Sequence, residues 1–212
     1  MKTRRTFLAG LMTVLSARPL QAVESPMEAG TRAFMAGKIE EALRHWDQQI
    51  AADPAVGPHH WQRGLALYYA GKYQEGRIQF EEHQKVNLQD VENAAWHFLC
   101  VARLESPEAA RKVFIPITAD RRVPMKEIHA LFAGRGTAAE VLAAAGKETP
   151  GDSLRNQNCY AQLYLGLHHE AHGRTAEAKA CLLKAAHDYR MEHYMGRVAQ
   201  VHCQLRGWKP ES

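Results

Sequence analysis

The sequence predicts an all-α fold in which antiparallel helix pairs stack into a solenoid. Three observations predict it: a 34-residue period, small residues at fixed places within that period, and no segment that reads as a strand. "AGKIEEALRHW" at 36–46 aligns with "AGKYQEGRIQF" at 70–80. Gly30 and Gly64, Gly37 and Gly71, Lys38 and Lys72, Ala42 and Gly76, and Trp46 and Phe80 are each 34 residues apart. Ala110 and Phe114 continue the series, and Gly166, Gly173 and Ala178 keep the phase near the C-terminus. Several residue types repeating together exclude a chance match.

The elements follow in order. Units are expected at 23–56, 57–90, a degenerate 91–124, and 159–192. In the second, "WQRGLALYYAG" supplies a helix whose Trp61, Leu65 and Tyr68 recur at near-helical spacing, and "YQEGRIQFEEHQKV" supplies its antiparallel partner. Gly64 and Gly76 have no side chain, so two helix axes can approach closely there. Gly71-Lys72 is the turn between them, and Phe80 fills the gap to the following unit. In the third unit Asn93 to Arg103 forms a helix, and Ser106-Pro107 reads as a cap followed by proline at the first helical position.

Residues 121–158 are expected to be irregular. "VPMKEIHALFAGRG" gives a helix stopped by Gly134, and "TAAEVLAAAG" starts another, with Thr137 and Glu140 spaced as a capping box. The stretch 146–157 is polar and rich in breakers, which predicts a loop. A final helix at about 193–206 is expected to cap the last apolar face. One hairpin cannot cover its own apolar side, so neighbouring units must stack.

Across roughly residues 23–192 the chain resembles the tetratricopeptide repeat superfamily, most strongly in "YLGLHHEAHGRTAEAKACLLKA" and in Gly64 to Phe80. The resemblance implies a binding scaffold rather than an enzyme, with the first helix of each hairpin lining a concave surface. Residues expected there to contact a protein or peptide segment are Phe34, Trp61, Leu65, Tyr68, Tyr69, Tyr160 and Glu170. Aromatic side chains with polar edges make efficient recognition surfaces. The family's terminal-carboxylate clamp is not expected, because Trp61, Leu65, Leu163 and Leu167 stand where its lysines and asparagines would be. As an exported solenoid the chain is loosely similar to bacterial periplasmic repeat lipoproteins that act as protease adaptors, but it lacks their anchoring cysteine.

Export is read from residues 1–22. A charged start, a modest apolar run from Phe7 to Leu15 and small residues near Ala22 describe a signal peptide rather than a membrane span. Arg4-Arg5 followed by Thr6-Phe7-Leu8 resembles the twin-arginine export signal, although Ala9 stands where a lysine is usual. The expected location is therefore periplasmic or otherwise exported. The segment holds Lys2, Arg4, Arg5 and Arg18 and no acid, so the rest of the chain carries 23 basic and 23 acidic residues. That balance gives no ground for a nucleic-acid or anionic-membrane partner. Twelve histidines would make the protein cationic below about pH 6.5.

The competing reading is metal or cofactor binding through histidines. His168 and His172 share a helix face and could give two ligands to zinc or copper, with further ligands needed from another element. "HHEAH" is not the zincin motif, since His169 rather than glutamate follows His168. Otherwise no cofactor is expected. Cys100, Cys159, Cys181 and Cys203 permit up to two disulfides, or reduced and buried thiols. Catalysis is not expected, for there is no phosphate loop, no G-x-S-x-G segment and no isolated carboxylate pair.

Overall fold

The computed structural model describes residues 24–147 and 151–210, and the expected export segment lies outside them. Among the described residues every regular element is helical, with no strand. No helix among them is long and apolar enough to cross a membrane.

The first four helices form two hairpins: α1 Pro26–Met35 with α2 Ile39–Ala52, and α3 Trp61–Tyr69 with α4 Tyr73–Val86. A 3₁₀ segment, Pro54–His59, joins them. Ser25 and Glu28 close a capping box at the start of α1, with Pro26 in its first turn. The 34-residue period has a direct physical cause. A Cβ added to Gly30 would lie 2.3 Å from the Trp46 ring, and one added to Gly64 would lie 2.6 Å from Phe80. At Gly166 the same atom would meet Leu182 at 2.5 Å. In all three hairpins a glycine of the first helix receives the large side chain sixteen positions later. The turns match as well: Gly37, Gly71 and Gly173 have φ of +73°, +75° and +72°. Each is followed by a residue whose N–H donates to the carbonyl five positions back, as in Lys38 to Ala33, Lys72 to Leu67 and Arg174 to His169.

The third unit departs from this plan. Helix α5, Val91–Leu104, is long and almost wholly buried, but α6 covers only Pro107–Lys112. The chain then runs without helix from Phe114 to Arg121. Pro116 lacks the N–H a helix needs and disfavours helical backbone at Ile115, so the second helix cannot complete itself. Side chains hold this strap instead. Gln89 Oε1 accepts from the N–H groups of Thr118 and Ala119, both at 2.9 Å, and His129 Nε2 accepts from Ile117 N at 3.2 Å. Helices α7, Met125–Phe132, and α8, Ala138–Ala145, form the expected irregular pair, with the turn at Gly134 and the Thr137–Glu140 capping box.

Helix α9 spans Asp152–Ala171, so it begins within the stretch expected to be a loop. Its first turns use the polar residues Asp152, Ser153, Arg155 and Asn156, which suit an exposed helix start as well as they suit a loop. Helix α10, Thr175–Leu183, ends in a π turn at Lys184–Asp188, and α11 spans Tyr194–Arg206. Helix α11 does more than cap the last face. It packs on α9 and α10 and also reaches α1, where Gln204 Nε2 donates to the Ala36 carbonyl at 3.2 Å. The two ends of the array therefore touch.

Candidate functional site

Where α11 enters the array it lies on the inner aromatic residues. Tyr194 stacks on Phe34 at 6.1 Å and meets Trp61 edge-on at 4.8 Å. Tyr69 is hydrogen-bonded to His202 Nδ1 at 3.0 Å. The expected partner surface is thus largely occupied by the chain's own last helix. Phe34, Leu65 and Tyr68 are buried at 0%, 1% and 2% exposure, which corrects their assignment as open contact residues. Burying these rings against Tyr194 and their neighbours removes more apolar area from water than a hollow face would. Glu170 is also committed internally. Its Oε1 accepts from Arg206 Nε at 2.6 Å, and its Oε2 lies 3.3 Å from His202, whose imidazole burial holds down at about 4 and so neutral.

Beside this contact a cavity of about 190 Å³ remains. Trp61, Leu65, Phe80, Trp96 and Met195 form its apolar wall, and Asp90, Glu92, Asn93, Arg122, His83 and His193 its polar side. Tyr160 joins the rim through a 3.2 Å hydrogen bond to His193. Of the expected residues, Trp61 and Leu65 lie in the cavity wall and Tyr160 stands next to it.

The polar side is built at the start of α5. Asp90 caps that helix by accepting from Glu92 N at 3.0 Å, and carboxylates are favoured near its positive end. Arg122, carried in by the strap, donates to Asp90 and Asp120 at 2.6 Å each and to Glu92. Asp120 Oδ2 also accepts from Val91 N at 3.2 Å, and Tyr164 Oη donates to Glu92 Oε2 at 2.7 Å. Burial pushes the Glu92 carboxyl up to about 7, against the pull of Arg122. Hydrogen bonds from Arg122 and Val91 hold Asp120 below the usual aspartate range despite its burial. Among the described residues, Asn93 Oδ1 and Trp96 Nε1 are buried without a hydrogen-bond partner.

The histidine pair has a different setting. The His168 and His172 rings lie 4.2 Å apart. Arg111 Nη2 lies 2.6 Å from His172 Nε2, and a guanidinium can only donate, so that nitrogen is the acceptor. Nδ1 then carries the proton and donates to the His168 carbonyl at 2.8 Å. Both ring nitrogens of His172 are thus engaged within the protein. Burial and the neighbouring imidazole and guanidinium groups hold His168 down at about 3. No group of three or more His, Cys, Asp or Glu among the described residues is arranged to hold a metal ion. The four cysteines are free thiols. Burial pushes Cys159 up to about 12 and Cys203 up to about 11, which keeps them as unreactive thiols.

Glu92, Asn93, Trp96 and Met195 were not among the site residues expected from the sequence. Trp96 and Asn93 lie on a helix that is apolar nearly all round, so no periodicity marks one side of it as functional. Arg122 carried one signal, a paired arginine in a segment with no helical pattern. No protein-family model matches the chain, and no curated protein matches it.

Proposed function

We propose that this chain is an exported scaffold of the tetratricopeptide type that grips a segment of another protein without doing chemistry on it. The repeated packing of a large side chain onto a glycine and the matching turns support the family reading. The observation that carries the binding reading is the cavity left between α3, α4, α5 and the start of α11, lined by aromatic and charged side chains together. Its residues sit on helices that pack firmly against their neighbours, so little order remains to be imposed when a partner docks. Buried, protonated cysteines support a non-catalytic role. The broad concave groove gives way to a narrower contact: a segment lies over the rim and one side chain enters the cavity.

Random-peptide display on the purified protein tests this, with His193→Trp as the control. His193 is exposed and lines the cavity, and the larger ring is expected to narrow the mouth. Peptides enriched on the wild type and lost on the variant are the expected result. No enriched peptide family on the wild type, or the same family on both proteins, would count against it.

A further inference from the structure

Resting on that scaffold reading, we propose that the cavity receives the ammonium end of a lysine side chain from the bound segment. Size is the first argument. A cavity of about 150 Å³ holds a benzene ring, so 190 Å³ takes a four-carbon stem and its ammonium but little more. The wall is the second. Leu65 and Met195 suit the stem, and Trp61, Phe80 and Trp96 line the same cavity with aromatic rings, whose faces attract a cation.

Charge is the third argument. Asp90, Glu92 and Asp120 surround a single guanidinium, that of Arg122, so ionised carboxylates outnumber it. The positive end of α5 offsets part of that surplus but does not equal it. An acidic side chain would be repelled here.

Hydrogen-bond geometry is the fourth. An arginine fits less well than a lysine. The carboxylate oxygens are already bonded to Arg122, Tyr164, Asn87 and the backbone of α5, leaving no free pair for a bidentate fork. A lysine needs only the field, because its compact ammonium requires no planar pair of acceptors.

Titration of Glu92 gives the proposal a second handle. Arg122, Asp90 and, from α9, Tyr164 face this carboxyl, with Tyr160 next and His83 and His193 also lining the cavity. An arriving cation favours the ionised form. Binding therefore strengthens as pH rises from about 6 to about 8, and the proton released on binding is largest at the lower end of that range.

The test titrates the full protein with acetyl-Gly-Lys-Gly-amide, with the same tripeptide carrying norleucine or glutamate in the middle, and with free butylamine. The indole N–H resonances of Trp61 and Trp96 are followed by NMR. The lysine peptide is expected to shift both and to bind about tenfold tighter than norleucine, with glutamate weakest. Glu92→Gln should cost the lysine peptide about five- to tenfold and leave norleucine unchanged. Asp90→Asn, which keeps the cap acceptor, serves as a second variant with the same expectation. Norleucine binding as tightly as lysine, or glutamate binding tighter, overturns the assignment of charge. Butylamine bound where the lysine peptide is not would make this a free-amine site and overturn the commitment to a protein segment. No shift with any probe overturns the site. Peptides selected by display but indifferent to lysine would leave the scaffold reading standing without this one.

Discussion

The hairpins near the two ends of the chain and the stretch between α5 and α9 meet the same packing problem in different ways. In α1–α2, α3–α4 and α9–α10 a missing side chain lets one large group of the partner helix sit against backbone. Between α6 and α8 no such glycine is present, the second helix stops at Lys112, and polar groups from α4–α5 and α7 hold the strap. Apolar packing of the first kind is short-ranged and indifferent to salt and pH. A clamp of charges is sensitive to both. The cavity lies where the two kinds of structure meet.

The sharpest way to separate them is to damage each and compare responses to solvent. Trp46→Ala removes a fully buried ring from the first hairpin and is expected to cost about 3–5 kcal/mol, equally at low and high salt, in urea unfolding. Arg122→Ala leaves three carboxylates without their common partner. Because the Arg122 side chain is 45% exposed, water takes over part of its role and the expected loss is about 2 kcal/mol, below that of a fully buried pair and smaller at high salt. A loss at Trp46 that depended on salt, or one at Arg122 that did not, would break the comparison.

Acid and base should act on the clamp through Glu92 and Asp120, and on the buried histidines His60, His168 and His202, whose lowered values add stability as pH rises through the ordinary imidazole range. The Glu92 carboxyl rises from 4.5 to about 7 on folding, so between those values the folded state holds the proton that the unfolded chain has released. The Glu92 contribution to stability therefore falls as pH rises through that window, by about 1–2 kcal/mol after allowance for the water that reaches Glu92. Glu92→Gln should remove this contribution, read as the difference between the wild-type and variant pH profiles. Asp120 acts in the opposite sense: its stabilisation is complete above the ordinary aspartate range and is lost as pH falls through its lowered value.

The two kinds of glycine in a hairpin give the smallest and most discriminating test. Gly64→Ala gains some helix stability but drives its Cβ to 2.6 Å from Phe80, for an expected net loss of about 1–2 kcal/mol. Gly71→Ala meets nothing within 4 Å and should lose only about 1 kcal/mol, from the φ of +75°. A Phe80→Leu background should relieve the first loss and leave the second unchanged. Equal losses at both positions, untouched by Phe80→Leu, would mean that close approach does not set the period.

Much of the helical plan was legible. Gly37, Gly71 and Gly173 mark turns because a positive φ is a local demand, and Thr137 with Glu140 marks a helix start because both partners lie within one turn. The beginning of α9 was not legible, since residues 152–157 suit a loop and a solvated helix equally and only docking on α8 decides between them. The candidate site was legible in fragments. Trp61, Leu65 and Tyr160 stood out by helix phase, whereas Glu92, Asn93 and Arg122 acquire meaning only from partners such as Tyr164, Phe80 and Asp120.

The sequence by itself determined most of the helices, where they turn and which faces must be apolar, because those demands act over a few residues and repeat with the period. Only the tertiary structure decided that α11 would lie across Phe34 and Trp61, that Arg122 would gather three carboxylates, and that one cavity would stay open beside them. Tyr69 and His202 are 133 residues apart, and no spacing rule links them. Which apolar face is covered, and by what, depends on the surface left exposed once all the hairpins have stacked.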